Sequence, residues 1–361
     1  MDDATDDARA CARLARIPSL TVRDVRAAMA STGSLGGAAA RCGAHDPGET
    51  PSKFVIDADL TWLRSSGATV IPCTSPAYPP LLAATVGAPP VLFVLGDPAA
   101  LALPQIAMVG ARGATPTGRA IARELAHSIA SAGLCVTSGL ALGIDGASHE
   151  GALAARGATI AVCAHGLDEL YPRAHAGLAR RIREQGALVS PYPPGTPARR
   201  ARFPRRNRIL SGLARATLVV EAARASGSLL TARSAMRQGR PVFAVPGSIV
   251  NPLAAGCLEL LREGAKVADS ASRVLEALGI LPKDHELAAQ PGGPPSACDA
   301  PPVLDKDGEI LLDALGFEPV GLDALAERTG LDPSSAASIL LMLELQGRVA
   351  LDPGRRYCRL T

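Results

Sequence analysis

Between Gln105 and Gly247 six short apolar runs, "IAMVG", "LCVTSG", "TIAVCA", "ALVSP", "ATLVVEA" and "PVFAVPG", alternate with amphipathic stretches such as "TGRAIARELAHSIASAG", "DGASHEGALAARG", "HAGLARRIREQG" and "LLTARSAMRQG". No other feature of the chain restricts its fold so tightly. A short run without polar alternation suits a strand buried on both faces, and such strands separated by helices assemble into parallel βαβ units. The helical stretches end at Gly133, Gly157, Gly186 and Gly239, where a helix C-cap favours a left-handed residue. The pattern predicts an α/β fold over residues 71–280, an extended Rossmann-like doubly wound parallel sheet.

The flanks read differently. Residues 1–70 are expected to form a small helical module of the helix-hairpin-helix type, although its "IPSLT" turn lacks the glycines of that motif. Residues 54–104 combine a helix around Leu60–Ser65 with short, proline-punctuated extended pieces, and read as a connecting module. Residues 281–302, "LPKDHELAAQPGGPPSACDAPP", have linker composition. Residues 303–361 read as three short helices and a hairpin, a winged helix, with Asp332 as an N-cap and Pro333 at the first helical position. The eight cysteines are scattered without a CxxC pair, so they are expected to be reduced, mostly buried and free of metal. The Ala-rich stretches are too short or too charged to span a bilayer, and the acidic start "MDDATDDARACARL" is unlike a secretory signal. A cytoplasmic protein without membrane contact is expected.

A net charge of +3 hides a strong asymmetry: residues 105–280 hold 22 basic and 11 acidic residues, whereas residues 303–361 hold six and ten. Between Glu184 and Glu221 stand seven arginines and no carboxylate, six of them in "PARRARFPRRNRILSG", residues 197–212. Like charge gathered so densely repels itself, which points to a negatively charged partner. The reading helix of the winged helix, "PSSAASILLMLELQG", holds no Lys or Arg. Phosphate anchoring there would fall to Arg355, Arg356 and Arg359, so a protein-contact or regulatory role is expected instead.

In an open parallel sheet ligands sit at the carboxyl ends of the strands. The first loop there, "GARGATPTG", is not GxGxxG, and the second puts Ser138 and Gly139 where a dinucleotide fold supplies an acidic residue for the ribose. Gly110, Gly113, Gly139 and Gly143 let backbone amides approach an anion at helix starts, and Arg112 adds a fixed charge. "EAARASGSLLTA" offers Ser226, Gly227, Ser228 and Thr231 at another helix start. Any one of these loops also reads as a plain tight turn; together they favour an anion groove. Asp145 and His149, four apart, read as an N-cap carboxylate and a helix-surface histidine, while Glu221 is placed to hold an arginine or a loop amide. No nucleophile–base pair accompanies them, so neither an enzyme nor a cofactor is expected.

The series "MVGARGATPTG", "TSGLALGIDGASHEGAL", "GLDELYPRAH", "FPRRNRILSGL", "VVEAARASGSLLTARSAMRQGRPVFAVPGS" and "GCLELLREGA" closely resembles the DNA-processing protein A family, also called Smf, in unbroken order. The resemblance implies sequence-independent binding of single-stranded DNA, protection of incoming strands and loading of the RecA recombinase in natural transformation. It also implies a homodimer through the sheet domain, with no turnover. By motif, Arg112 matches the arginine of the family's first glycine loop, and Arg173 the basic residue after its "YP". Phe203, Arg205, Arg206, Asn207 and Arg208 match its "FPxRNR", and Ser226, Gly227 and Ser228 its "SGSL". Leu142 stands where the family often has a basic residue and is given no DNA role.

On this reading phosphates lie across Arg112, Arg173, Arg205, Arg206 and Arg208, with amides of the Gly110, Ser138 and Gly139 loops completing the contacts. Phe203 stacks on a base, and Asp145, Glu221 and Thr231 give structural support. Some arginines, Arg206 and Arg208 foremost, are expected to pair with carboxylates instead. The competing readings are a nucleotide-processing enzyme of the phosphoribohydrolase kind and an interaction scaffold. The former would carry PGGxGTxxE where this chain has "ARASGSLLTA" and "VPGSIV".

Overall fold

The computed structural model describes residues 3–17, 20–44, 51–280, 306–315, 319–352 and 354–360. The expected linker at 281–302 and Cys298 lie outside them. Four helices open the chain: α1 (Asp3–Arg16), α2 (Val22–Thr32), α3 (Leu35–Ala44) and α4 (Lys53–Ser66). Thr21, which ends the "IPSLT" stretch, starts α2 with a capping box. Its hydroxyl accepts from the Asp24 amide, and the Asp24 carboxylate accepts from the Thr21 amide at 2.9 Å. Arg16 ties α1 to α4 through paired hydrogen bonds of 2.7 and 2.6 Å to Asp59, which is 2% exposed. A third bond, 2.9 Å long, runs from Arg16 to the Pro194 carbonyl. Leu14, Val25, Ile56 and Leu60 belong to the same apolar core as Leu92 and Ile160 of the sheet, so the opening helices and the sheet form one compact unit.

The chain continues through β1 (Thr69–Pro72), α5 (Pro80–Ala83), β2 (Val91–Gly96), β3 (Gln105–Val109), α6 (Pro116–Ser131), β4 (Cys135–Ser138), α7 (Ile144–Ala154), β5 (Thr159–Val162), α8 (Ala176–Gln185) and β6 (Ala187–Ser190). It ends this unit with α9 (Phe203–Leu213), β7 (Ala216–Val219), α10 (Gly227–Arg237), β8 (Val242–Ala244), α11 (Ala255–Arg262), β9 (Lys266–Val267) and α12 (Ala271–Ala277). All six apolar runs became strands, β3 to β8. The nine strands lie in the order β1-β2-β6-β5-β4-β3-β7-β8-β9. From β6 to β9 every neighbouring pair is parallel. The extended pieces upstream are more than a connector: β1 and β2 add an antiparallel edge, with Phe93 opposite Ser190 and Leu95 opposite Leu188.

Two of the four helix-ending glycines serve another purpose than the one expected. Gly133 and Gly239 take left-handed caps (φ 86° and 70°), whereas Gly157 and Gly186 do not. They permit close packing instead: a Cβ on Gly157 would lie 2.6 Å from the Ala130 Cβ, and one on Gly186 2.0 Å from the Thr159 carbonyl oxygen.

A second unit holds α13 (Lys306–Leu315), β10 (Val320–Gly321), α14 (Leu322–Thr329), α15 (Pro333–Leu345), β11 (Val349–Leu351) and β12 (Arg356–Arg359). The three strands pair antiparallel in the order β10-β12-β11, and Leu311, Leu315, Leu325, Leu340 and Leu343 fill the space between the helices. Asp332 caps α15 by accepting from the Ser334 and Ser335 amides, both at 3.0 Å. This is the winged helix the sequence predicts. Of the cysteines, Cys11, Cys73, Cys135, Cys163, Cys257 and Cys358 are buried thiols and Cys42 is half-buried. Among the described residues no helix is long and apolar enough to cross a membrane, and no three His, Cys, Asp or Glu side chains cluster as metal ligands.

Candidate nucleic-acid interface

Strand order reverses between β3 and β7: β4 to β6 extend to one side and β8 to β9 to the other. The loops leaving the carboxyl ends of β3 and β7 diverge there and open a crevice. They are braced against each other. The Ala111 amide donates to the Glu221 carbonyl at 2.6 Å, and the Ser228 hydroxyl donates to the Gly110 carbonyl at 2.7 Å. It is the Glu221 main-chain carbonyl, which any residue there would supply, that takes this amide. Gly110 has no room for a side chain, since a Cβ would meet Ile144 Cγ1 at 2.4 Å. Ser226 caps α10 by accepting from the Ser228 amide at 3.2 Å, and Asn207 Nδ2 donates to the Gly227 carbonyl at 3.3 Å. The result is a cleft of about 710 Å³ walled by the β3 loop, the first turns of α9 and the start of α10.

Helical phase sorts the arginine-rich segment. Phe203, Arg206, Asn207 and Leu210 fall at i, i+3, i+4 and i+7 of α9 and line the cleft together with Arg112. Arg205 and Arg208 lie on the other side of the helix. The Arg205 guanidinium sits over the Tyr192 ring at 5.9 Å from its centroid, and Arg208 is exposed beside Gly87. Arg173 is also exposed, in the short turn Arg173–His175, and is no part of the cleft wall. Ser138 is fully buried, and its hydroxyl donates to the Met108 carbonyl at 2.6 Å, which commits it to the neighbouring strand. The structure therefore gathers Gly110, Arg112, Asp145, Phe203, Arg206, Asn207, Ser226, Gly227, Ser228 and Thr231 around one crevice and leaves Ser138, Gly139, Arg173, Arg205, Arg208 and Glu221 out of its wall.

Arg206 is the anchor of this rim rather than an open cation. It is 4% exposed, donates from Nη1 to the Val162 carbonyl at the end of β5 (2.9 Å), and fills the place a Gly139 side chain would need. Burial pulls its pKa down, and the nearby Asp145 and Cys163 act in the opposite direction. Asp145 corrects the N-cap expectation. Gly143 is the N-cap of α7, and Asp145 Oδ2 accepts from the Gly139 and Ala141 amides (3.2 and 3.3 Å), closing the β4 loop. Burial pushes its carboxyl up, opposed most by Arg206. Asp145 is the carboxylate that acts on Arg206, through the field across the loop and not through a hydrogen bond or ion pair.

His149 is not on a helix surface, as the sequence suggested, but fully buried, with Nδ1 2.7 Å from Thr159 Oγ1. Burial, then the positive charge of His175 and Arg206, lowers its pKa from 6.5 to about 3. A histidine held neutral in the fold but free to charge when unfolded stabilises the protein above pH 6.5. That contribution is lost as pH falls towards 3 and amounts to roughly 5 kcal/mol. Urea midpoints are expected to drop steeply from pH 6.5 to 4, and His149→Gln is expected to flatten that dependence; an equally steep profile in the variant would refute the assignment.

Two wall residues escaped the sequence reading. Tyr171, 48% exposed, meets Phe203 edge-on at 6.3 Å between centroids, and Arg200 extends the arginine lining. The signal for Tyr171 was its place in the quoted "YPR", where only the arginine was singled out. Phe203 is half-buried, with the Arg112 and Arg206 guanidinium carbons 5.2 and 5.5 Å from its ring centroid. Beside the cleft, burial pushes the Cys163 thiol up to about 12, the reverse of an activated nucleophile.

A mostly parallel Rossmann-like sheet with an arginine-lined crevice at its switch point, joined to a winged helix, defines the class: an α/β protein of Rossmann-like topology with an accessory winged-helix domain. The chain belongs to the family described as DNA recombination-mediator protein A, whose model matches residues 69–279; a model described as the DprA winged helix domain matches residues 294–355. It is 42% identical over 311 residues to Protein Smf of Escherichia coli, covering 84% of this chain and 82% of that one. The DNA processing protein DprA of Bacillus subtilis is 42% identical over 220 residues, 61% of this chain and 74% of the relative. Among solved structures, DNA processing protein A from Streptococcus pneumoniae superposes with a TM-score of 0.62 at 31% identity, covering 74% of this chain and 95% of that one. The Helicobacter pylori protein, described for its single-stranded DNA binding mode, superposes with a TM-score of 0.53 at 27% identity over 58% of this chain and 95% of that one.

Proposed function

We propose that this protein binds single-stranded DNA without sequence preference, protects incoming strands and passes them to the RecA recombinase during natural transformation. It does so as a cytoplasmic homodimer that catalyses no reaction. One observation carries the binding step: the carboxylate-free arginine segment folds so that Phe203 and Arg206 share a crevice with Arg112 and the amide-rich start of α10. Guanidinium forks suit phosphate oxygens geometrically and keep their charge at any working pH. The single-stranded DNA binding described for the Helicobacter pylori relative supports the same assignment. With Asp145 engaged by loop amides, His149 buried and neutral, and Cys163 held as a thiol, the crevice offers recognition rather than acid, base or nucleophile. Recombinase loading, protection and dimerisation rest on family membership alone.

Fluorescence anisotropy on a short strand and its duplex, across a salt series, tests the binding step. Neutralising about three phosphates, one for each of Arg112, Arg200 and Arg206, gives a slope of log K against log[salt] of about −2 for the strand. A flat profile, or equal affinity for the duplex, would count against the crevice. Co-pelleting with RecA filaments on the same strand tests the handover.

A further inference from the structure

We propose that the floor of the cleft is a receptor for a phosphate monoester, so that the protein grips the phosphorylated end of a strand more tightly than its interior. The inference rests on the single-strand reading above and deepens it. Two polar groups lining this one cleft are buried and lack any hydrogen-bond partner among the described residues: Arg206 Nε and Thr231 Oγ1. Arg206 is 4% and Thr231 1% exposed. A guanidinium N–H can only donate, and a threonine hydroxyl donates readily, so both call for an acceptor-rich group. An unmade bond at such a depth is costly, and a bound anion that accepts from both removes the cost.

The surrounding groups favour the same ligand. Thr231 lies one turn into α10, whose positive end opens on the cleft beside Ser226 and Gly227. Arg112 stands exposed at the mouth. The one carboxylate in the wall, Asp145, has an oxygen engaged by the Gly139 and Ala141 amides and lies close to Arg206. Depth selects the monoester. An internal phosphodiester is tethered on two sides and presents two free oxygens, so it lies along the rim. A terminal phosphate is tethered once, presents three, and can descend to donors that a passing backbone does not reach. The proposal gives Thr231 a ligand contact beyond the structural support expected of it from sequence.

The test compares oligonucleotides of one sequence carrying a 5′-phosphate, a 3′-phosphate or hydroxyls at both ends, with a circular strand and free deoxynucleoside monophosphates as competitors. One of the end-phosphorylated strands is expected to bind about tenfold more tightly than the hydroxyl-ended strand, as charge-assisted hydrogen bonds to two donors would give. The ratio is expected to fall to about one in Thr231→Val and to persist in Thr231→Ser, which retains the hydroxyl. Monophosphates, but not nucleosides, should erase it by competition. Equal affinity for all three strands in a protein that still binds them with a steep salt slope would overturn the monoester site alone, leaving water as the partner of both donors. Strong monophosphate binding with no strand binding would instead overturn the single-strand reading.

Discussion

Arg112→Ala is expected to weaken binding of a short single strand at least tenfold, by the same factor for every sequence tested, while the protein keeps its fold. A charge-assisted contact to phosphate contributes about 1.5–3 kcal/mol, which sets the size of the loss. Arg112 is exposed, and no carboxylate among the described residues is salt-bridged to it, so its removal leaves no buried charge behind. The salt slope should become shallower by about 0.7, the share of one single-strand phosphate. Circular dichroism and thermal unfolding of the variant check the fold, and anisotropy at several salt concentrations checks the slope. Unchanged affinity would remove Arg112 from the interface; affinity lost together with the thermal transition would make it a structural residue.

Arg206→Met should act on stability first. It deletes the buried guanidinium whose charge acts on Asp145 and the hydrogen bond that closes the end of β5, at a cost of about 1.5–3 kcal/mol. The pH dependence follows from the direction of the Asp145 shift. Burial already raises that carboxyl above its ordinary range, and Arg206 opposes the rise. Without the guanidinium the folded pKa climbs further. A carboxyl with a raised folded pKa contributes stability that is complete below its unfolded pKa and is lost as pH rises through the folded one. The deficit of Arg206→Met relative to the parent should therefore be smaller at pH 4.5 than at pH 8, and adding Asp145→Asn should recover part of it at pH 8. Urea unfolding at both pH values decides the matter: a variant as stable as the parent, or an equal deficit at both, would show that the two side chains are not coupled.

The two arginines illustrate how far the residues alone carry the argument. "GARG" places Arg112 just past a strand end, so its exposure at the cleft mouth follows from local structure. Arg206 stands in the same kind of basic run as Arg205 and Arg208, and its neighbours in sequence do not distinguish it. What separates them is the phase of α9 together with partners brought from afar: the Val162 carbonyl, the missing side chain of Gly139 and the Asp145 carboxylate. His149 shows the same limit. Its spacing from Asp145 is that of a helix face, yet α7 packs against β3, β4 and β5 and against the neighbouring α8, and nothing local announces that this face is buried.

The strands divide in a similar way. β3 to β8 were legible because a strand covered on both faces must be apolar throughout, and that requirement is written residue by residue. The antiparallel edge was not legible. The pieces that become β1 and β2 are joined by 18 intervening residues rather than a tight turn, and β2 pairs with β6 about 90 residues downstream. Composition and pattern by themselves determined a Rossmann-like sheet, a winged helix and a strongly basic middle of the chain, because burial periodicity and net charge are sums over local residues. Tertiary structure alone decided which arginines face the cleft and which brace it, and which donors in its wall stay unpaired, because those depend on contacts between segments that only the closed sheet brings within hydrogen-bonding range.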